Sequence, residues 1–473
     1  MRLDISRLVV IVFLMNLLKK NLIYSFSSQG LQFVQSVLMS LLIPKILGIE
    51  EFGFWQLFIF YTQYGGFFHF GFNDGVTLKI GGKYYDSLNF SSLGVQLRLS
   101  ILFQILLLLP FLFLGMLGVS SQRIFIAFFS CIFILVNNFS AFLAYVLQAT
   151  NRIKEYSYSR AIDTMCFLFI LSGLLINRVA DFRIYVLVYL LGRLVGLTYC
   201  ALKAKKIVYS FIFQRCNKEC FYHFILNIRN GLSLVFANIA SMLILGYGRY
   251  IVDKVYGIES FSKISFMIMI SNFFLTFLNQ ASLVLFPDLR RRDFVQQCSF
   301  YEKVSRSLFS VAPLFLLVYF PIALILPVWL PDYSDSLTYL LFLLPLCFFD
   351  GKMQLLGNTM FKVINNMKGL LVCNIFALCL SIVFVTISVY ILDNILLSVV
   401  SMLFAIMVRG YVADYILRKK LNIHNNYKQI IQELSIVLLF WIVSWLFPKH
   451  VAFLCFSFIS IPYSIFKLKK QFI

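Results

Sequence analysis

Five ionisable residues, Arg193, Lys263, Asp350, Lys352 and Arg409, fall inside apolar runs long enough to cross a bilayer. A charge at that depth costs at least about 2.5–3.5 kcal/mol on insertion scales, so it must face a water-filled cavity or a partner. Arg249 and Asp253, near the end of another run, have the i, i+4 spacing that lets them pair on one helix face. Asp350 and Lys352 are two residues apart, so they point in different directions and do not satisfy each other. Two readings compete. In one, the charges pair and lock helices together. In the other they line an aqueous lumen, and the excess of basic members suits an anionic substrate. Arg193, Arg409, Arg249, Lys263 and Lys352 are then candidate substrate-binding groups. Asp350, Asp253 and Asp74 are candidate carriers of a coupling ion, with a proton or sodium gradient as the energy source.

The amides repeat the same choice. The first apolar run carries Ser25, Ser28, Gln29, Gln32, Gln35 and Ser36, and the seventh carries Asn230, Asn238 and Ser241. Runs two and eight add Gln63, Asn272, Asn279 and Gln280. In lipid such groups can hold helices together for under about 2 kcal/mol each. Concentrated at matching positions of four runs, they also suit a hydrophilic lumen that hydrogen-bonds sugar hydroxyls, with Gln29, Gln32, Asn238 and Asn272 as candidates. Lys79, Lys83, Arg98, Arg229, Arg290, Arg291 and Arg292 surround run ends on one side of the membrane. They could gather anionic headgroups, although topology alone would also put them there. Cys216, Cys220 and His223 have loose metal-ligand spacing but offer only three ligands. His69 and Asp74 have an H-x4-D spacing seen in some acyltransferases, without a surrounding soluble domain. No Walker loop, zinc motif or nucleophile elbow is present. The expectation is a protein that is not an enzyme, with no catalytic residue, no metal site and no cofactor.

The elements that must position these groups follow from composition. The 473 residues are 61% hydrophobic and only 13% charged, against about 45–50% and about 25% for a soluble domain. That excludes a large soluble enzyme, a nucleic-acid binder and a disordered chain. A spanning helix needs about 20 apolar residues, and fourteen runs are candidates. They lie at about 22–46, 52–72, 97–118, 122–148, 159–177 and 182–203, then 229–250, 258–286, 306–330, 335–361, 369–392 and 394–418, then 430–447 and 449–467. The net charge of +21 fits basic residues collected in cytoplasmic loops rather than a nucleic-acid partner. With the N-terminus inside, 30 Lys and Arg fall on the cytoplasmic side and 7 on the other. Strict alternation of that kind supports an even number of spans with both termini cytoplasmic. Leu8 to Leu18 is apolar but short, with no cleavage site after it, and Met15 is an alternative start. The expected fold is an all-α integral membrane protein. Its expected segments are 1–21 interfacial, 22–203 a first six-helix lobe, 204–228 a cytoplasmic linker, 229–420 a second lobe, and 421–473 two further helices with a basic tail.

Gly48-Ile49-Glu50-Glu51-Phe52 reappears as Gly257-Ile258-Glu259-Ser260-Phe261, an offset of 209 residues that also pairs Lys45 with Lys254 and Asn21 with Asn230. At an offset of 216, Arg193 matches Arg409 and Tyr199 matches Tyr415. Both lobes start in the same direction, so they are parallel repeats, and substrate sites in such transporters lie between the halves. The sequence resembles the polysaccharide or O-antigen flippases of the multidrug/oligosaccharidyl-lipid/polysaccharide (MOP) exporter superfamily. The residues that carry this resemblance are Leu17 to Asn21, Pro44 to Gly53, Gly71-Phe72-Asn73-Asp74-Gly75, Gly81-Gly82-Lys83-Tyr84, and Arg249 to Gly257. It implies two six-helix lobes in a V shape, in the bacterial cytoplasmic membrane. It also implies alternating access for an undecaprenyl-pyrophosphate-linked oligosaccharide, moved from the cytoplasmic to the outer leaflet. Arg193 and Arg409 would then meet the pyrophosphate. Membrane lipids, polysaccharide polymerase and chain-length proteins are the accompanying partners. Two extra C-terminal helices are similar to those of the peptidoglycan-precursor flippase, where they help form a lipid groove. The absence of a strongly Arg-rich first helix argues against a peptidoglycan role. The alternatives are a cation-coupled multidrug exporter, which predicts an acidic cavity, and a membrane glycan polymerase or ligase, which usually has a large outer loop.

Overall fold

The computed structural model describes residues 27–28, 30–116, 120–424 and 427–472. Gln29 and the 1–21 segment lie outside them. Nearly all described residues are helical, and no strand occurs among them. Lipid offers no hydrogen bonds to backbone groups, so a spanning chain of this composition must satisfy them within helices. Among the described residues, ten helices are long and apolar enough to cross a membrane, or twelve if each of two bent pairs is one span. The chain is therefore a multi-pass membrane protein.

Two breaks decide how the spans are counted. α1 (Gly30–Leu41) and α2 (Ile43–Gln63) are followed, far along the chain, by a 74-residue α9 (Lys218–Arg291). At 1.5 Å per residue α9 would exceed about 100 Å, several times a hydrocarbon core of about 30 Å. It is interrupted at Gly257, with φ 82° and ψ −177°, and α2 is interrupted at Gly48, with φ 72° and ψ −177°. These are the two glycines of the sequence repeat. They share one positive-φ conformation that L side chains avoid, and each turns the chain within a single residue. With both breaks taken as span boundaries, the helices are compatible with fourteen crossings.

The chain forms two compact units. The first comprises residues up to Leu47 and Phe54–Val235; the second comprises Gly48–Gly53 and Phe236 onward. In the first, α3 (Phe72–Ile80), α4 (Phe90–Met116), α5 (Ser121–Ala149), α6 (Ile153–Ile176), α7 (Phe182–Lys203) and α8 (Lys205–Phe213) join residues 218–235 of α9. Phe72 stacks on Phe142, ring centroids 5.4 Å apart, within a core that includes Leu97, Ile207 and Phe224. α3 crosses α9 at backbone contact. A Cβ on Gly75 would overlap the Asn227 carbonyl oxygen, and one on Gly231 would overlap that of Gly71.

In the second unit, residues 236–291 of α9 precede α10 (Phe294–Leu317), α11 (Tyr319–Trp329), α12 (Leu337–Leu343), α13 (Leu346–Lys352) and α14 (Asn358–Val363). α15 (Met367–Thr386), α16 (Ile395–Lys420), α17 (Tyr427–Leu446) and α18 (Lys449–Phe472) complete it. Its core includes Met353, Leu356, Phe361, Cys373 and Leu417. Phe52 packs edge-on against Phe266 and Tyr333 at 5.9 and 6.1 Å. The last two helices are built into this unit: Phe320 of α11 meets Phe440 of α17 and Phe456 of α18, and the Trp441 indole donates to the Leu341 carbonyl.

Candidate functional site

In the first unit, Arg193 on α7 pairs with Asp163 on α6 at 2.8 Å, each side chain 15% exposed. The helices meet through Gly192 and Gly196, which flank the arginine. A Cβ on either would press on Asp163, so the glycines let α6 bring its carboxylate up to Arg193. The Gly192-x3-Gly196 spacing is the small-residue pattern that brings membrane helices close. The Arg193 guanidinium also lies over the Phe133 ring at 5.8 Å. A second polar seam runs along α4 at four-residue intervals. Gln104 Nε2 donates to Ser100 Oγ, Gln96 Nε2 donates to Ser92 Oγ, and Asn138 Nδ2 donates to Gln104 Oε1 and the Gly65 carbonyl.

The second unit holds three buried ion pairs on α13, α16 and α17. Arg409 on α16, 3% exposed, pairs with Asp350 of α13 and donates from Nη1 to Ser241 Oγ of α9 at 2.6 Å. Gln354 donates to the other oxygen of Asp350. Lys352 pairs with Glu433 on α17 at 3.2 Å, and Gln429, one turn away, donates to the same Glu433 oxygen at 2.9 Å. Farther along α16, Arg418 pairs with Asp414 at 2.8 Å, while Tyr301 on α10 donates to Asp414 at 2.5 Å. A π-helical turn, Met353–Gly357, follows Lys352 directly; such turns often occur at functional sites.

Each of the four basic residues expected at mid-span thus has an acid partner, because Lys263 also pairs with Asp335, at 3.8 Å. The excess of positive charge inferred from the spans left out Asp163 and Glu433, which sit inside the fifth and thirteenth runs. Asp350 and Lys352 point apart, each to its own partner. Arg249 and Asp253 are both buried, one turn apart on α9. Asp74 is half-buried on α3. Gln32 is half-buried, with its carbonyl accepting from Ser36 Oγ, and Asn238 and Asn272 are exposed.

The basic set at the run ends divides between the units. Lys79, Lys83, Arg98 and Arg229 belong to the first, and residues 290–292 to the second. Lys79 Nζ reaches His223 Nδ1 at 3.4 Å, Arg98 donates to the Gln214 carbonyl at 2.6 Å, and Lys83 and Arg229 are exposed. Arg292 lies over the Phe300 ring at 5.5 Å; the side chains of Arg290 and Arg291 lie outside the described residues. His69 Nδ1 accepts from the Gly71 amide, a local turn contact. Among the described residues no group of three His, Cys, Asp or Glu gathers as a metal site would require. Sequence reasoning misses the partners Asp163, Glu433, Asp414 and Tyr301. A carboxylate inside a run is the available signal for the three acids, and the glycines around Arg193 are the signal for the α6–α7 contact.

The architecture is an all-helical membrane fold that has counterparts among solved structures of the MOP superfamily. No protein-family model matches the chain, and no curated protein matches it significantly. Solved structures do. The chain is similar to the lipid II flippase MurJ in an inward closed conformation, with a TM-score of 0.64 and 14% identity, over 94% of this chain and 97% of that one. It is also similar to an inward-facing multidrug resistance MATE family transporter of the MOP superfamily, with a TM-score of 0.63 and 12% identity, over 82% of this chain and 94% of that one.

Proposed function

We propose that the protein is a flippase that moves an undecaprenyl-pyrophosphate-linked oligosaccharide, an O-antigen or other surface polysaccharide unit, from the cytoplasmic to the outer leaflet by alternating access. The observation that carries this reading is the extent of the fold: the likeness to a lipid flippase covers 94% of the chain, whose C-terminal helices belong to its compact second unit. The protein then resides in the bacterial inner membrane, and the basic asymmetry of its loops supports cytoplasmic placement of both termini. Arg193 and Arg409 serve the pyrophosphate only if they exchange their carboxylate partners for it during the cycle, and Asp350 is then left to take up a proton. The second reading, a cation-coupled multidrug exporter, is favoured by one observation: paired carboxylates remove the excess of positive charge that argued for an anionic substrate. A deletion strain separates the two. Loss of surface polysaccharide with accumulation of lipid-linked repeat units is expected of the flippase. Normal surface glycan with raised drug susceptibility, in a strain without a redundant flippase, would establish the exporter instead.

A further inference from the structure

A polar cavity of about 190 Å³ opens in the first unit where three elements converge. α3 contributes Lys79, the start of α4 contributes Asn89, Ser91 and Ser92, and the segment from Gln214 into α9 contributes Arg215, Asn217, Glu219 and His223. Lys79 and Arg215 bring two fixed positive charges against the one carboxylate of Glu219, which is drawn towards His223 Nε2 at 3.7 Å. Asn89 and Asn217 cap their helices by accepting from the amides of Ser92 and Cys220. The remaining first-turn N–H groups of both helices have no intrahelical acceptor, and their partial positive charge adds to that of the side chains. Ser92 Oγ accepts from Gln96 Nε2 at 2.7 Å, and Gln96 is itself held by Asn227 Nδ2 at 2.7 Å. That network uses the oxygen of Ser92 as an acceptor and so directs its own proton away from Gln96. Arg98 fixes the third element by binding the Gln214 carbonyl.

We propose that this cavity binds a phosphoryl group, the terminal or bridging phosphate of a pyrophosphate or phosphate-monoester compound. Cations, hydroxyls and amides on three sides suit an anion with several oxygens, which can accept from all of them at once. A monatomic anion would leave most of these donors unused. The site lies on the side that the basic asymmetry assigns to the cytoplasm, where both lipid-borne and soluble phosphates are found. Its chemistry does not depend on the transport reading, although a lipid-borne source would rest on that reading.

The test uses the full-length protein in nanodiscs of zwitterionic lipid, titrated calorimetrically with inorganic pyrophosphate. Saturable binding is expected, weakened at least about tenfold by Lys79→Ala combined with Arg215→Ala, since the pair supplies the charge-assisted hydrogen bonds to the phosphate oxygens. Glu219→Gln removes the opposing carboxylate and should tighten binding, an effect that misfolding cannot imitate. Absence of saturable binding, or the same affinity in both variants, would overturn the proposal. Nanodiscs containing a polyprenyl pyrophosphate separate the sources. A raised apparent Kd for inorganic pyrophosphate assigns the site to the lipid headgroup, and an unchanged one assigns it to a soluble phosphate. Because calorimetry reads binding alone, failure here is distinct from failure of the flippase reading in cells.

Discussion

Arg409 shows what a charge inside the bilayer demands. Its guanidinium is 3% exposed and shared between Asp350 and Ser241. Removing one member of a buried pair strands the other, at about 3–5 kcal/mol. Arg409→Ala should therefore lower the yield and thermal midpoint of detergent-extracted protein, whereas Asp350→Asn with Arg409→Gln should recover most of the loss. Full stability of the single variant would show that the pair is not structural. Recovery of stability without recovery of transport in the double variant is what a direct role in substrate or proton handling requires. Arg193, Lys352 and Arg409 are legible in the sequence as exceptional because each interrupts an apolar run. Their partners are not. Spacing along one helix reports only neighbours a turn apart, while Asp350 and Glu433 lie 59 and 81 positions from the bases they meet. Only the packing of α13, α16 and α17 brings them together.

Helices here are bounded and joined by glycines that act in two different ways, and stability measurements should separate them. Gly48 and Gly257 have positive φ with extended ψ, and a Cβ added at either would meet nothing within 4 Å, so alanine there encounters backbone strain alone, about 1–3 kcal/mol. Gly75 and Gly231 have no room for a Cβ at all, because α3 and α9 touch through their backbones. Gly173, on a helix and in open space, needs neither property. The expected order of loss in thermal midpoint is Gly75→Ala and Gly231→Ala largest, Gly48→Ala and Gly257→Ala intermediate, and Gly173→Ala neutral or slightly stabilising. An equal effect at Gly173 and Gly75 would remove the close crossing as an explanation. The repeat that flags Gly48 and Gly257 is readable because the same local turn is encoded twice. The Gly75–Gly231 crossing joins distant segments and leaves no periodic trace. The all-helical character follows directly from the apolar runs, since uncharged stretches of that length have no other stable form in lipid.

For the molecule as a whole, the question is whether α17 and α18 are an appendage or part of the second unit. Polar and apolar contacts both bind them in. Glu433 of α17, with a fully buried side chain, faces Lys352, and Gln429 donates to Ser305 of α10. Lys449 at the start of α18 donates to the Ala323 carbonyl, and Phe440 and Phe456 cover Phe320. Ending the chain after His424 would strand the Lys352 ammonium against lipid and uncover an aromatic face that is now packed. A charge so placed costs at least about 2.5–3.5 kcal/mol, so the shortened protein should be degraded or extracted as aggregate. Lys352→Met in the shortened chain removes the stranded charge while keeping an apolar stem, and should restore part of the folded yield. If it does, the rescued protein becomes the means of asking what the two helices do. A lipid-linked substrate needs a surface along which its polyprenyl chain can follow the headgroup, and the C-terminal pair is the candidate for that surface. The rescued protein should then still bind inorganic pyrophosphate, because the cavity lies wholly in the first unit. It should fail to restore surface glycan in a deletion strain. Restored export would mean that α17 and α18 stabilise the second unit without taking part in transport.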